Sequence, residues 1–311
     1  MKILITGGAG YIGTELAYKL AESPEIKEIT VFDNLSRHNY NLFIGVQKFS
    51  NNKIKFIEGE LLDSRSLKKA LLGTDVVYHL AAKVTTPFAD QDAHLFEQTN
   101  HWGTAELVYA IEENLSSSAH KISKLIYTSS VSVYGAGNET VDVDSPVNPR
   151  TFYGISKMRG EEHIHRLFPK LRTYILRCGN VYGYSKSMRF DAVINKFMFD
   201  ANFKGRITIN GNGAQYRSFV HIERVTSALA NILTHNLKST KFDLVEKVLN
   251  VNEISQTLKE LYPHLEILYV NQHLNLKEVK VKPNQVMNTL ISVPQKTLKE
   301  ELEEFKKAFT F

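Results

Sequence analysis

The sequence predicts a doubly wound α/β fold, a parallel β-sheet with helices on both faces, and three observations indicate it. Short β-branched and aromatic runs alternate with segments of helical periodicity, a glycine-rich turn follows the first run, and an aspartate ends the second. Strands that alternate with helices pair in parallel through right-handed crossovers. Helices are predicted between the strands, for example over Ser64–Leu72 and Leu95–Glu112. The predicted strands are Lys2–Thr6, Glu28–Phe32, Ile54–Ile57, Val76–Leu80, Lys124–Thr128 and Thr173–Arg177.

The first predicted strand runs directly into a glycine-rich turn. Gly8, Gly10 and Gly13 match the spacing G-x-G-x-x-G, and Gly7, Gly10 and Gly13 match a related variant. Apolar residues follow at helical spacing, so a helix is predicted to begin in the turn and to aim its backbone N–H groups at a pyrophosphate. The candidate cofactor-binding residues of this turn are Gly7, Gly10, Tyr11, Ile12 and Gly13.

The second predicted strand ends at Asp33, 20 residues after Gly13. A dinucleotide-binding fold places at this distance the carboxylate that bonds the ribose hydroxyls of adenosine. We therefore expect NAD rather than NADP, because a 2′-phosphate would face an unpaired carboxylate. Arg37 is the one nearby group that would soften this preference.

Ligands of such sheets lie beyond the carboxyl ends of the strands, so the residues that follow each strand are candidates. Small side chains such as Ala81 and Ala82 allow close approach to a flat cofactor, or close packing of a helix on the sheet. The serines after the fifth strand are either functional groups or a turn and capping cluster. These segments contain Glu60, Leu61, Leu80, Ala81, Ala82, Ser129, Ser130 and Ser132.

Tyr153 and Lys157 lie four residues apart in a predicted helix that ends near Leu167, so they share one helix face. A tyrosine with a pKa of about 10 is a poor base at neutral pH. A lysine ammonium and an oxidised nicotinamide ring both favour the phenolate and would lower that pKa. Because this spacing is common, the pair in isolation favours an amphipathic helix that carries both residues by chance.

Composition excludes several classes of protein. The 311 residues are 43% hydrophobic, with a formal net charge of +5 and one cysteine, which excludes an internal disulfide and suits a cytoplasmic protein. No signal peptide or membrane-spanning run is visible. Scattered lysines do not predict nucleic-acid binding. His163 and His165 point in different directions on a helix, so no metal site is predicted.

Taken together, the motifs resemble the extended short-chain dehydrogenase/reductase family, in particular its UDP-glucose 4-epimerase-like nucleotide-sugar epimerases and dehydratases. The resemblance covers nearly the whole chain and implies an NAD-binding Rossmann domain with a smaller mixed α/β substrate-binding domain. Its landmarks are TGGAGYIG (6–13), VFDNLS (31–36), YHLAA (78–82), Asn100 with Gly103 and Thr104, SSVSVYG (129–135), YGISK (153–157), LRCGNVYG (176–183) and GNGAQYRSFVHI (211–222).

The resemblance also implies roles for individual residues. Tyr153 would be the catalytic base, Lys157 would hold the nicotinamide ribose, and Ser130 would bond the sugar hydroxyl. Arg217 would clamp the substrate diphosphate through its planar, permanently charged guanidinium. The other implied contacts are Asp33, Asn34, Glu60, Leu61, Leu80, Ala81, Ala82 and Asn100 to the cofactor, and Thr85 and Asn180 to the substrate. The family usually has aspartate where Glu60 stands.

Two positions select among the reactions of this family. Dehydratases and decarboxylases of the family carry acidic residues just before the Val-Tyr-Gly motif, where this chain has Val131 and Ser132. Neither residue exchanges a proton with a sugar carbon. Ser132 also replaces the cysteine of epimerase-reductases. C4 epimerisation through a 4-keto sugar is therefore predicted. A one-way NAD(P)-dependent ketoreduction and a non-catalytic dinucleotide sensor remain open alternatives.

The predicted domains are residues 1–177 for the cofactor and 178–311 for the substrate, with a segment near 218–250 returning to the first. A homodimer built as a four-helix bundle is expected from the helices over Leu95–Glu112 and Tyr153–Leu167. Leu107, Val108 and Ile111 are expected to offer its apolar surface, and Trp102 is expected to have a packing role.

Overall fold

A parallel seven-stranded sheet forms the centre of the structure. The computed structural model describes residues 1–44, 53–84, 93–117, 119–137, 139–271, 278–284 and 289–309. Within these residues every neighbouring pair in the sheet is parallel. Its strands are β1 (Lys2–Thr6), β2 (Glu28–Asp33), β3 (Ile54–Glu58), β4 (Val76–His79), β5 (Lys124–Ser130), β7 (Arg172–Cys178) and β11 (Thr240–Leu244).

The strand order is β11-β7-β5-β4-β1-β2-β3, so the chain reverses its winding between β1 and β4. The predicted doubly wound α/β fold is confirmed, and the six strands predicted from the sequence all form, with ends shifted by one or two residues. β11 comes from the segment near 218–250 that was predicted to return. The crevice between β1 and β4 is where such sheets bind ligands.

Helices cover both faces of the sheet. Alternate strand residues serve opposite faces, as Ile3 and Ile5 pack in one hydrophobic core and Leu4 in the other. This two-sided burial explains why the strands are continuous apolar runs. The first core lies under α1 (Tyr11–Ala21) and α7 (Ile222–Asn231). The second lies under α2 (Ser64–Leu71), α4 (Gly103–Ser117) and α5 (Phe152–His165).

The helix predicted over 95–112 is interrupted. A short helix, α3 (Ala93–Phe96), leads into a π-helical stretch, Glu97–Trp102, before α4 begins. The π-helical stretch carries Asn100, whose buried side-chain amide bonds both the backbone N–H and the carbonyl of Lys83. The stretch therefore fixes the chain just after β4.

One expectation about this region was wrong. Leu107, Val108 and Ile111 are fully buried in the subunit's own second core, because the apolar stripe of α4 faces the sheet. They offer no dimer surface. Trp102, for which a packing role was expected, stacks on His101 at 4.6 Å between ring centroids and is 53% exposed. The exposed face of these helices carries Trp102 and Tyr109 instead.

A third hydrophobic core forms from the second half of the chain. It lies among α6 (Val193–Lys204), α8 (Val251–Leu261) and the helix Leu298–Ala308. The smaller sheets among the described residues comprise β8 (Asn180–Tyr182) with β10 (Tyr216–His221) and β12 (Lys247–Asn250), β9 (Arg206–Asn210) with β13 (Glu266–Val270), and β6 (Thr140–Val141) with β14 (Lys280–Val281). The division into domains at residue 177 stays a prediction.

The N-terminal turn of α1 is tied to this second half. Tyr11 donates its phenol hydrogen bond to the Gly183 carbonyl at 2.5 Å and receives one from Asn195 at 3.3 Å. One turn later, the Thr14 and Ser187 hydroxyls lie 2.8 Å apart. The glycine turn and the third core are therefore joined by buried hydrogen bonds. No described helix has the length and apolarity needed to cross a bilayer.

His79, the last residue of β4, gives stability a pH dependence. Its imidazole is fully buried and bonds the hydroxyls of Thr6 (2.7 Å) and Thr104 (2.9 Å), and burial lowers its pKa from 6.5 to about 3. The unfolded chain therefore takes up a proton below pH 6.5 that the folded chain refuses, so this residue's contribution to stability is lost on acidification. Through His79, lowering the pH from 7.5 to 5.5 is expected to reduce the free energy of unfolding by roughly 1.4 kcal/mol.

Urea unfolding at the two pH values measures this effect. His79→Gln, which does not titrate, serves as the control, and the loss between the two pH values is expected to shrink by that amount. The same loss in both proteins would show that His79 is not the group responsible.

Candidate active site

A cavity of about 890 Å³ opens at the carboxyl ends of β1, β2, β4 and β5, where the winding of the sheet reverses. Its far wall comes from the second half of the chain, including β8, β9, β10 and the start of α6. The volume lies in the range of small-molecule and cofactor sites. Both halves of the chain are needed to enclose it.

The glycine turn after β1 is packed against neighbouring backbone. Gly7 has φ +72°, and a Cβ there would lie 2.5 Å from the Ala81 backbone. A Cβ on Gly13 would lie 2.5 Å from the Gly7 carbonyl oxygen and the Gly8 Cα. Gly10 caps α1 with no side-chain hydrogen bond, which leaves the first N–H groups of the helix for an anion. The turn thus has the close packing and the free amides that a pyrophosphate site requires.

Asp33, the last residue of β2, lines the cavity. One carboxylate oxygen accepts the Ala9 N–H at 3.0 Å and the other accepts the Leu35 N–H at 2.9 Å. Each oxygen keeps a lone pair for a ribose hydroxyl. Burial raises the pKa of Asp33 from 3.8, and the two backbone hydrogen bonds oppose that rise. The loop thus holds a carboxylate ready to accept two hydroxyl hydrogen bonds.

Asn34 and Glu60 form a hydrogen-bonded pair beside Asp33. The Asn34 amide donates to one Glu60 carboxylate oxygen at 2.7 Å, and the other accepts the Leu61 N–H at 3.0 Å. All three residues line the cavity. These two hydrogen bonds fix the side chain of Glu60, the residue that stands where aspartate is usual in the family that the motifs resemble.

Ser130 and Tyr153 meet at the opposite end of the cavity. Ser130 ends β5, and Tyr153 lies in the first turn of α5, which is fixed by Thr151 accepting the Gly154 N–H at 3.0 Å. Burial raises the pKa of Tyr153 above 10, and the hydrogen bond with Ser130 and the charge of Arg189 lower it by less. The phenol of the protein alone is therefore protonated at neutral pH.

Lys157 lies one turn after Tyr153 and is 2% exposed. Its ammonium donates to the Thr128 carbonyl at 2.8 Å and lies 4.8 Å from the centroid of the Tyr127 ring. Burial lowers the pKa of Lys157 from 10.5 to about 8. That Lys157 depresses the pKa of Tyr153 when the cofactor is bound stays a prediction.

A buried network that the sequence did not reveal supports the end of β5. Glu161 accepts two hydrogen bonds from Arg177, at 2.9 and 2.7 Å, and one from the Ser129 hydroxyl at 2.5 Å. Arg177 also donates to the Tyr134 hydroxyl at 2.9 Å, which donates to Asp243 at 2.7 Å. Burial raises the pKa of Asp243 to about 6. The network fixes Ser129, the neighbour of Ser130, from behind the site.

Asn180 and Arg217 line the wall of the cavity formed by the second half of the chain. The Asn180 amide donates to the Ser218 carbonyl at 3.0 Å. Arg217 lies on β10, and burial lowers its pKa. A partly desolvated guanidinium facing a cavity suits an anionic group. Thr85, also expected at the substrate, lies outside the described residues.

The sequence matches, over residues 3–246, the model of the NAD dependent epimerase/dehydratase family. The chain belongs to that family. The resemblance drawn from the sequence motifs is confirmed, and membership in an NAD-dependent family confirms NAD as the cofactor. The glycine turn, the uncapped start of α1 and the Asp33 carboxylate fit this group.

Relatives within the family differ in activity. A putative UDP-glucose 4-epimerase of Methanocaldococcus jannaschii is 31% identical over 265 residues, which cover 83% of this chain and 81% of the relative. The dTDP-D-glucose 4,6-dehydratase of Homo sapiens is 31% identical over 241 residues, which cover 75% of this chain and 65% of the human enzyme, under two thirds of its length. The family is therefore established, while the reaction remains to be assigned.

A solved structure has the same fold. The UDP-glucuronic acid 4-epimerase from Bacillus cereus, in complex with UDP-glucuronic acid and NAD, superposes with a TM-score of 0.84 at 24% identity, covering 99% of this chain and 98% of that one. The likeness extends over both halves of the chain, so the whole architecture is that of the epimerase/dehydratase family.

Of the assigned site residues that the structure describes, all line the cavity except Asn100. Its amide is occupied by the Lys83 backbone and by Ser156, at 3.0 Å, so it supports the loop after β4 from beneath. Arg37, Arg189 and Asp191 line the cavity and were not predicted as binding residues. The last two lie in an irregular segment without periodicity, where the sequence carries no signal.

Metal-binding clusters are absent from the described ranges, which hold no group of three histidine, cysteine or acidic side chains suited to an ion. Cys178 lies at the floor of the cavity, and burial raises the pKa of its thiol to about 12. A thiol with that pKa is not a nucleophile at neutral pH.

Proposed function

We propose that this chain is an NAD-dependent nucleotide-sugar epimerase that inverts C4 through a transient 4-keto sugar. The observation that carries the proposal is the distribution of acids in the cavity. Among the described lining residues the acids are Asp33, Glu60 and Asp191. The first two occupy the adenosine end, and Asp191 is paired with Arg189.

This distribution leaves Tyr153 as the proton-transferring group beside Ser130. Elimination of water or loss of carbon dioxide needs a further acid or base at the sugar, and positions 131 and 132 hold Val131 and Ser132. Ser132 instead bonds Ser130 through both its hydroxyl and its backbone N–H, at 3.1 Å each. Oxidation of a secondary hydroxyl and reduction of the same carbon need only the residues that are present.

In this mechanism NAD supplies the acceptor and the donor of the hydride. Tyr153 takes the C4 hydroxyl proton and later returns it, so one residue serves both half-reactions. Ser130 bonds the same hydroxyl and steadies the Tyr153 oxygen. Lys157 would hold the nicotinamide ribose, and its ammonium together with the oxidised nicotinamide ring would favour the Tyr153 phenolate, the form that accepts the proton. Arg217 anchors the diphosphate while the keto sugar turns.

A panel of UDP-, dTDP-, GDP- and CDP-sugars followed by proton NMR tests the proposal. We expect C4 inversion on one nucleotide class with no net change in the absorbance of reduced cofactor at 340 nm. Stoichiometric consumption of reduced cofactor would identify a ketoreductase. A 4-keto-6-deoxy product would identify a dehydratase, and cofactor binding without turnover would identify a sensor. Each of these three results would overturn the epimerase.

Assembly and location belong to the same proposal. A C2 homodimer remains a prediction, and its apolar surface would be the exposed Trp102 of the π-helical stretch and Tyr109 of α4. A cytoplasmic location remains a prediction too, based on Cys178, which is buried and unpaired with another cysteine.

A further inference from the structure

Arg37 follows Asp33 in the loop that leads away from β2 and lines the adenosine end of the cavity. The backbone of this loop is pinned, since Asp33 accepts the Leu35 N–H at 2.9 Å and Asn34 accepts the Ser36 N–H at 3.0 Å. The His38 N–H then closes a turn on the Leu35 carbonyl at 2.7 Å. The backbone of the loop is therefore held by hydrogen bonds, while the charged Arg37 side chain is 44% exposed and has room to turn.

The Arg37 guanidinium is paired with Asp191, 3.7 Å away, across the mouth of the cavity. Asp191 lies 154 residues later in the chain, between β8 and α6. It is itself held by Arg189, which donates to both carboxylate oxygens at 3.1 and 2.6 Å and to the Val84 carbonyl at 3.2 Å. A fixed carboxylate from the second half of the chain thus draws Arg37 toward it.

The adenosine 2′ position is where NAD and NADP differ. A free arginine in the loop after the ribose-binding acid is a group that accommodates a 2′-phosphate. In this structure the charge of Arg37 is directed to Asp191, while the Asp33 carboxylate lines the cavity. Arg37 and Arg189 also repel each other, and Asp191 lies between them.

We infer that Asp191 is a cofactor-specificity residue that keeps NADP out by holding Arg37. Neutralising Asp191 removes the attraction and leaves the repulsion from Arg189, so Arg37 turns toward the adenosine ribose. The second half of the chain thereby reinforces the NAD preference that Asp33 sets.

Calorimetric dissociation constants for NAD and NADP test this inference without any activity assay. Asp191→Asn is expected to tighten NADP relative to NAD by up to about fivefold, the most that releasing an exposed ion pair returns. The double variant Arg37→Gln with Asp191→Asn is expected to return the ratio to its wild-type value. If NADP still binds more tightly relative to NAD in the double variant, the effect comes from the loss of the Asp191 charge itself or from Arg189. That result would overturn the inference.

Two further variants keep the inference testable if Asp191→Asn does not fold. Arg37→Gln alone, at an exposed position, is expected to leave NADP binding within about twofold, because Arg37 is already engaged. A loss of fivefold or more would show that Arg37 contacts the 2′-phosphate in the wild type. In Arg189→Gln, Arg37 remains as the cation paired with Asp191, so this variant is not expected to bind NADP more tightly. Tighter NADP binding in Arg189→Gln would also count against the inference.

Discussion

Replacing Tyr153 with phenylalanine is expected to lower turnover of the nucleotide-sugar substrate by about 10²- to 10⁴-fold, the range for a positioned acid–base group. In the proposed mechanism the phenol is the proton-transferring group next to Ser130, and the acids among the described lining residues lie elsewhere or are ion-paired. The substitution removes one oxygen and leaves the ring, whose centroid lies 6.1 Å from that of Phe96. Fold and NAD affinity are therefore expected to stay near wild type.

Steady-state kinetics on the substrate identified by NMR gives the measurement, with NAD affinity determined in parallel. Tyr174→Phe is the matched control. Tyr174 lies on β7 and does not line the cavity, and its phenol donates a hydrogen bond to the Leu237 carbonyl at 2.8 Å. The control loses one hydrogen bond and is expected to keep its turnover. Near-normal turnover in Tyr153→Phe would show that another group transfers the C4 hydroxyl proton and would contradict the proposed mechanism.

Glu161→Ala is expected to lower the free energy of unfolding by about 3 to 5 kcal/mol, the cost of leaving a buried charge unpaired. Both side chains of the Glu161–Arg177 pair are less than 5% exposed, and the glutamate accepts three hydrogen bonds. Without it the guanidinium keeps only Tyr134 among the partners described above, and the Ser129 hydroxyl loses its acceptor. This is the largest stability effect that we expect from one substitution.

Urea unfolding measures the loss, with Glu260→Ala as the control. Glu260 pairs with Lys299 at the surface, where both side chains are about half exposed, so its removal is expected to cost less than about 1 kcal/mol. Replacing both Glu161 and Arg177 with methionine is expected to cost less than Glu161→Ala, since no lone charge remains. Equal losses in the buried and surface variants would show that water screens the buried pair.

Local patterns in the sequence were sufficient for much of the site. The glycine turn, Asp33 and the Tyr153–Lys157 spacing each depend on residues within one strand–turn–helix segment, where conformational rules act at short range. The strands were found because burial on both faces makes them continuous apolar runs. Those parts of the site follow from neighbouring residues alone.

The parts that the sequence did not predict depend on distant partners. The Tyr134 and Asp243 side chains meet across 109 residues, and Arg37 meets Asp191 across the cavity mouth. No periodicity records such pairs. The error at Leu107 has a related cause, since an apolar stripe on a helix is used first by the helix's own sheet. The engagement of Lys157 with Thr128 also depends on tertiary placement.

The hydrogen bonds from the first turn of α1 to the second half of the chain limit how this protein can be recombined with its relatives. A chimaera that takes residues 178–311 from another family member would keep Tyr11 and Thr14 of this chain. Their hydrogen bonds form only where the graft supplies a carbonyl, an amide and a hydroxyl at the places of Gly183, Asn195 and Ser187. Each buried hydroxyl left without a partner costs about 1–3 kcal/mol. Exchange of sugar specificity by domain grafting therefore has to carry positions 11 and 14 along with the graft.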